Sequence, residues 1–234
     1  MKLRFYDYRD ALAIINSTGP EGEIVYPTLH QRYYEFIEAL ESISDEEIIE
    51  CLFELRTQQV NEGKAIYKSV APAINEVIRR HIEDYPDWEA ESFLFNEPEY
   101  RHVSSNRRGD SDHTEWRLDF ASEDALAVEV AFNHGEAIAW NLSKLQISAE
   151  LNHVEKAINT KIGIYVCATK DMKKIGNFDG AVGSFEKVLR FFKPMRNQLT
   201  APIVVIGLEP LEEYYIDKDT REVVSRLTGN KRLY

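Results

Sequence analysis

In RLDFASEDALAVEVAFNH, residues 117–134, two apolar runs flank the polar turn Ser122-Glu123-Asp124, and each run carries one carboxylate, Asp119 and Glu129. Paired strands lie about 4.8 Å apart, so acids on two neighbouring strands reach one point if they face the same side. Two carboxylates converging in a partly buried place repel, and are neutralised by a shared proton or by a cation. Oxygen ligands without a Cys or His cluster favour a hard divalent ion such as Mg2+. An ion so held keeps several waters and can activate one against a phosphodiester. The same spacing also suits two acids at solvated strand ends, and on these residues alone both readings stand.

The elements that must position the pair follow from periodicity. Short apolar or alternating runs at 92–96, 117–121 and 126–132, separated by polar segments, predict an antiparallel meander. A long helix is expected over 137–158, from Ile138, Leu142, Leu145 and Ala149 at helical spacing. IGIYVCAT (162–169) and APIVVIGL (201–208) are uninterrupted buried-strand signals, separated by a polar loop over 169–184 and a helix at 182–193. Apolar strands alternating with helices predict parallel, doubly covered positions.

Ahead of the meander, helices are expected at 29–41, 44–58 and 71–84, the last tolerating Pro72 in its first turn. Ser44-Asp45-Glu46-Glu47 announces the second as a capping box, in which Ser44 and Glu47 serve each other's orphan backbone donors. The predicted fold is α/β, a sandwich with a central mixed β-sheet flanked by helices and a helical N-terminal part. We expect a single domain over 1–234, divided into an acidic, mainly helical part (1–88), a core (89–210) and a C-terminal extension (211–234).

The net charge of -12 is unevenly spread. Residues 1–100 hold 21 acids against 9 Lys and Arg, whereas residues 101–234 hold 19 of each. In the neutral part the basic residues cluster: Arg101, Arg107 and Arg108; Lys170, Lys173 and Lys174; Lys187, Arg190, Lys193 and Arg196; Lys231 and Arg232. A polyanion would meet these clusters and avoid the acidic helices, although solvated faces show the same pattern. No window approaches the ~18 consecutive apolar residues of a membrane span. Asp7 and Asp10 interrupt the N-terminus where a secretory signal would be apolar, and Cys51 and Cys167, without a CxxC partner, read as reduced, buried thiols. These features predict a cytoplasmic protein without a disulfide, a zinc site or a membrane partner.

The hairpin resembles the active-site hairpin of the metal-dependent PD-(D/E)xK nuclease fold, where an aspartate is followed after about ten residues by an acid, any residue and usually a lysine. More closely, the chain resembles the BglII and BstYI group of type II restriction endonucleases. That group shows Asp-Phe and then Glu-Val-Gln-Phe, against Leu118-Asp119-Phe120 and Glu129-Val130-Ala131-Phe132 here. KAIYKSVAPAINEVI (64–78), IGIYVCATKDMKK (162–174) and APIVVIGLEP (201–210) extend the likeness in order over residues 60–210. The resemblance implies a homodimeric, Mg2+-dependent enzyme that cuts both strands of a short palindromic DNA site, with 89–210 as its catalytic core. It implies Asp119 and Glu129 as catalytic metal ligands, Val130 as a further metal contact, and Asn75 and Glu76 as site residues. A companion DNA methyltransferase protecting the same site, and a palindrome with a GATC centre, are implied with it.

Ala131 departs from the pattern, since the residue that is Lys in the wider fold and Gln in this group can neither bind nor orient a water. Alternation puts it on the face of Glu129, so a function is missing inside the site. Asn133, Lys144 from the next helix, and Glu76 are candidates to supply it; Glu76 ranks first, and Lys144 would be a migrated catalytic lysine. For DNA, Asn133 and His134 have donors and acceptors for base edges, while a helix N-terminus would account equally for His134. In the loop over 169–184, Lys170, Lys173 and Lys174 suit phosphates and Asn177, Asp179 and Ser184 suit bases. Arg107 and Arg108, in the basic stretch 101–113, are expected on the DNA backbone. Ala131 also admits a second class of protein, one with the nuclease fold that recognises a site without cutting. The overall acidity admits a third, a hydrolase or binding domain with no DNA role.

Overall fold

A computed structural model describes residues 1–97, 100, 116–150 and 153–232. Six strands form the central sheet in the order β1-β6-β5-β4-β3-β2: β1 (Leu3–Tyr8), β2 (Glu89–Phe93), β3 (Arg117–Ser122), β4 (Leu126–Val130), β5 (Ile162–Ala168) and β6 (Ile203–Leu208). The meander β2-β3-β4 is antiparallel, and β4, β5 and β6 are parallel, as the two strand patterns predict. Along β5 and β6 successive side chains enter opposite layers. Ile164, Val166, Val204 and Ile206 join the core with helices α2 (Pro27–Ser42), α3 (Asp45–Asn61) and α4 (Ala71–Glu83). Tyr165, Cys167, Ile203 and Val205 join the opposite core, under α5 (Ile138–Ala149) and α7 (Phe185–Phe192). The result is an α/β sandwich around a mixed sheet.

Several expectations are corrected. β1 carries Arg4 and Asp7 between apolar residues and lies antiparallel beside β6 as an edge strand, a role compatible with its exposed charges. A short α1 (Ala11–Ile15) follows it. α5 ends at Ala149, well before 158, because the next stretch is drawn elsewhere: Asn96 N–H donates to the Glu155 carbonyl and Ala157 N–H to the Leu94 carbonyl. Lys156 Nζ donates to the Ser148 carbonyl at 2.9 Å, occupying one of the orphan carbonyls at the end of that helix. The expected loop after β5 opens as α6 (Lys170–Ile175), capped by Thr169 Oγ1, which accepts from Met172 N–H at 3.2 Å. Only half of the capping box forms. Ser44 Oγ accepts from Glu47 N–H at 3.1 Å, while the Glu47 carboxylate lies 2.8 Å from His81 Nε2 on α4 and so ties two helices together.

Past residue 210 a three-stranded antiparallel sheet, β7 (Tyr214–Ile216), β8 (Val223–Ser225) and β9 (Lys231–Arg232), docks on the start of α3. The Asp45 carboxylate accepts from Glu213 N–H at 2.8 Å, and Glu46 accepts from Tyr214 OH at 2.6 Å and pairs with Arg232. Cys51 and Cys167 are free and buried. Among the described residues no helix is long and apolar enough to cross a membrane.

Candidate active site

β3 and β4 pair at Ser122–Leu126, Ala121–Ala127 and Phe120–Val128, and the ladder stops there. One step further along that register stand Asp119 and Glu129, opposite each other. The backbone pairing is replaced by a side chain: Asp119 Oδ2 accepts from Val130 N–H at 2.6 Å. The gap between the strands is thus lined by a carboxylate.

The two acids meet different surroundings. Asp119 opens on a cavity of about 430 Å³ that is also lined by Asn75, Glu76 and Arg79 of α4, Glu91 of β2 and Val130. Glu129 points into the layer beneath α5, is 2% exposed, and is not among the residues lining that cavity. Its Oε1 lies 2.6 Å from Lys144 Nζ, which also donates to the Arg117 carbonyl at 2.7 Å. Lys144 reaches this depth because α5 packs hard against β5. A Cβ added at Gly163 would stand 2.9 Å from Leu145 Cβ, so a glycine there lets the helix descend. Isolated buried charges cost several kcal/mol, and pairing offsets that cost.

Burial dominates both carboxyls. It pushes Glu129 up to about 8 against the opposing pull of Lys144, and the charge of Asp119 adds to the rise. Burial also raises Asp119, against the Val130 N–H and Lys144. Glu91 raises both, so its charge acts on the same place. Glu91 holds a left-handed backbone (φ 53°) within β2, at the position across from Asp119, and its carboxylate pairs with Arg117 at 3.1 Å. Sequence reasoning missed Glu91 because it is one acid among many in 83–91, just ahead of the strand expected to begin at 92. The conformational signal was not visible there.

Glu76 accepts from Arg80 Nε at 3.1 Å and lies 3.6 Å from Arg79 Nε, so its charge is met within α4. Asn75 is exposed at the cavity wall. Lys144, ranked below Glu76 from the sequence, is the residue in contact with Glu129. Ala131 is 3% exposed in the same layer, leaving little room for a longer side chain. Among the described residues no three His, Cys, Asp or Glu side chains are grouped so as to hold a metal ion by themselves.

The two segments expected to face DNA are joined. His134 bridges Val182, Gly135 N–H donates to the Ala181 carbonyl at 2.8 Å, and Gly183 N–H donates to the Asn133 carbonyl at 3.0 Å. Asn133 and His134 remain exposed on this joint surface, and Lys187 extends over Gly135, where a Cβ would meet its ammonium. Several residues expected at the DNA also make hydrogen bonds within the protein. Lys173 donates to the carbonyls of Gly180 and Val182, Asn177 Nδ2 to the Lys68 carbonyl at 2.9 Å, and Asp179 accepts from Ala181 N–H at 2.8 Å. Ser184 is buried and caps α7, its Oγ accepting from Lys187 N–H at 3.3 Å. Lys170 and Lys174 are exposed on α6, with Lys174 3.7 Å from Asp171. Arg107 and Arg108 lie outside the described residues.

Residues 3–208 match the family described as restriction endonuclease BglII/BglIII. No curated protein matches the sequence. Among solved structures, the chain is similar to the restriction endonuclease BglII complexed with a DNA 16-mer, with a TM-score of 0.57 and 15% identity over 94% of this chain and 85% of that one. It is also similar to free BglII, with a TM-score of 0.47 and 15% identity over 89% of this chain and 79% of that one. At that identity the DNA-bound structure speaks for the fold, and the match over 3–208 speaks for the family.

Proposed function

The chain belongs to the BglII/BglIII restriction endonuclease family, which makes it a type II site-specific deoxyribonuclease, and from that premise we propose that it acts as a Mg2+-dependent homodimer on a short palindromic site in double-stranded DNA. One observation carries the reading: a carboxylate opens on a cavity at the point where its strand parts from the neighbour bearing a buried acid–lysine pair.

The donor set fits Mg2+. This ion prefers one or two carboxylates supplemented by waters and substrate phosphates to an all-protein cage. Asp119 and Val130, which line the cavity, would hold it together with Glu129 opposite Asp119 on β4, with Glu91 close by and, among the described residues, no Cys or His lining the cavity. When bound, the metal lowers the pKa of a water and neutralises charge on the phosphoryl oxygens.

The chain's own groups do the rest. Asp119 and Glu129 set the place of attack. Lys144, fixed by Glu129 and the Arg117 carbonyl, supplies from a helix the cation that Ala131 lacks on the strand. Water oxygen bonds to phosphorus, the bond to the leaving sugar oxygen breaks, and that oxygen takes up a proton. The attacking water gives its proton to solvent as its oxygen bonds to phosphorus, and the leaving sugar oxygen takes its proton from solvent.

Asn133 and His134 read base edges from the surface they share with residues 181–183, while Lys170, Lys174 and Lys187 meet phosphates. A palindrome matches the two-fold axis of a homodimer, each subunit cutting one strand. A companion methyltransferase marking the same site belongs to this reading, as does a cytoplasmic location.

Incubation with phage DNA and Mg2+ is the test. Discrete fragments from wild type and none from Asp119→Ala support cleavage; no fragments from wild type, or equal fragments from both, overturn it. The second reading, recognition without cutting, is favoured by Ala131 alone. It is supported if one sequence is bound tightly and never cut, and removed by turnover that Glu129→Ala abolishes.

A further inference from the structure

We propose that Arg79 of α4 is a phosphate-binding residue of the cleavage site. The proposal rests on the nuclease reading above and names a residue that neither the hairpin pattern nor the family match points to.

Charge balance raises the need for it. Among the described residues the cavity presents three carboxylates, Glu76, Glu91 and Asp119. A DNA strand adds one negative charge per phosphate, and a metal ion neutralises only part of the sum. Lys144 balances Glu129 beneath the sheet and does not line the cavity. Among the described residues lining the cavity, Arg79 is the one that carries a positive charge.

Its hydrogen-bonding capacity is also unspent. Arg80, the next residue, donates to Glu76 at 3.1 Å and to Glu54 at 3.2 Å. Among the described residues Arg79 makes two looser ion pairs, its Nε 3.6 Å from Glu76 and 3.6 Å from Glu83, and its side chain is 49% exposed. Both distances exceed those of a hydrogen bond. Exposed pairs of this kind contribute little, so releasing them costs little. A guanidinium is planar and offers its donors as a fork matched to two phosphate oxygens.

Charge on the phosphoryl oxygens grows as water bonds to phosphorus, so a cation aimed there is stronger at the transition state than in the ground state. Arg79 keeps its protons throughout and contributes charge and geometry only. Glu76, from this view, holds the arginine at the cavity rim until a phosphate replaces it.

The test compares wild type, Arg79→Ala and Arg79→Lys in the full chain. Binding to a short random-sequence duplex is measured in EDTA over a range of salt, alongside single-turnover cleavage of phage DNA in Mg2+. For Arg79→Ala, the slope of log K against log salt shrinks by about 0.9 for each phosphate the protein no longer neutralises, and cleavage slows by about tenfold or more. Arg79→Lys keeps the slope, as a charge of the same sign, but cleaves slowly, since the fork is gone. An unchanged slope for Arg79→Ala overturns the proposal, whatever cleavage does. If wild type binds without cutting, the nuclease reading fails while the slope still decides Arg79; if wild type shows no salt-dependent binding, both fail.

Discussion

Lys144 Nζ lies 2.6 Å from Glu129 Oε1 and 2.7 Å from the Arg117 carbonyl, so one ammonium on α5 ties together the two strands that carry the acids. The pair is 10% and 3% exposed, and removing either partner strands the other in an apolar layer.

A double-mutant cycle measures that dependence. Lys144→Met or Glu129→Gln alone is expected to destabilise the fold by a few kcal/mol, of the order found for broken buried pairs, with self-neutralisation of Glu129 reducing the first effect. The double variant recovers part of the loss. Additive losses in denaturant unfolding would show that the two side chains do not interact.

The raised carboxyls make metal binding depend on pH. Burial pushes Glu129 up to about 8 from 4.5, so folding favours its protonated form while Lys144 favours the ionised one. Because its folded pKa is raised, the stability it contributes is full below pH 4.5 and is lost as pH rises through about 8. Metal requires the ionised form, so Mg2+ affinity by calorimetry should rise about tenfold per pH unit up to about 8 and then level off. A flat affinity over the same range contradicts a Glu129 raised by burial.

Gly163 sets the height of α5. Gly163→Ala places a methyl 2.9 Å from Leu145 Cβ, costing about 1–3 kcal/mol by overpacking and lifting Lys144 from Glu129. We expect a lower melting temperature together with slower cleavage. Loss of stability with an unchanged cleavage rate would separate the helix position from the chemistry.

Where residues 133–135 join residues 181–183, two neighbouring residues are expected to differ. Ser184→Ala should cost about 1 kcal/mol through the lost cap on α7, with no change in the sequence cut. Asn133→Ala should leave stability unchanged and relax or weaken recognition at one base position. The opposite assignment of effects would return Ser184 to the reading surface.

The parts legible in the sequence were those where pattern and packing agree. Alternation and turn residues identified the hairpin of Asp119 and Glu129, and the uninterrupted apolar runs identified β5 and β6 as parallel, buried strands. β1 escaped because an edge strand carries Arg4 and Asp7 without penalty, and its partner β6 lies near the other end of the chain. Glu91 escaped because its left-handed backbone is a property of conformation. Lys144 was nameable by analogy with folds where the lysine migrates to the next helix, but only the close approach at Gly163 shows that it reaches Glu129. In the loop after β5, residue type suggested DNA contacts for Lys173, Asn177, Asp179 and Ser184. The fold uses them to hold its own backbone, a demand that polar composition alone does not reveal.

A lysine from α5 completing an acid pair that its own strand leaves incomplete is the central claim. Single-turnover cleavage of DNA by Lys144→Met, alongside wild type in Mg2+, tests it most directly. We expect a rate lower by about a hundredfold or more, with DNA binding preserved. A folded Lys144→Met that binds DNA and cuts at the wild-type rate would contradict it.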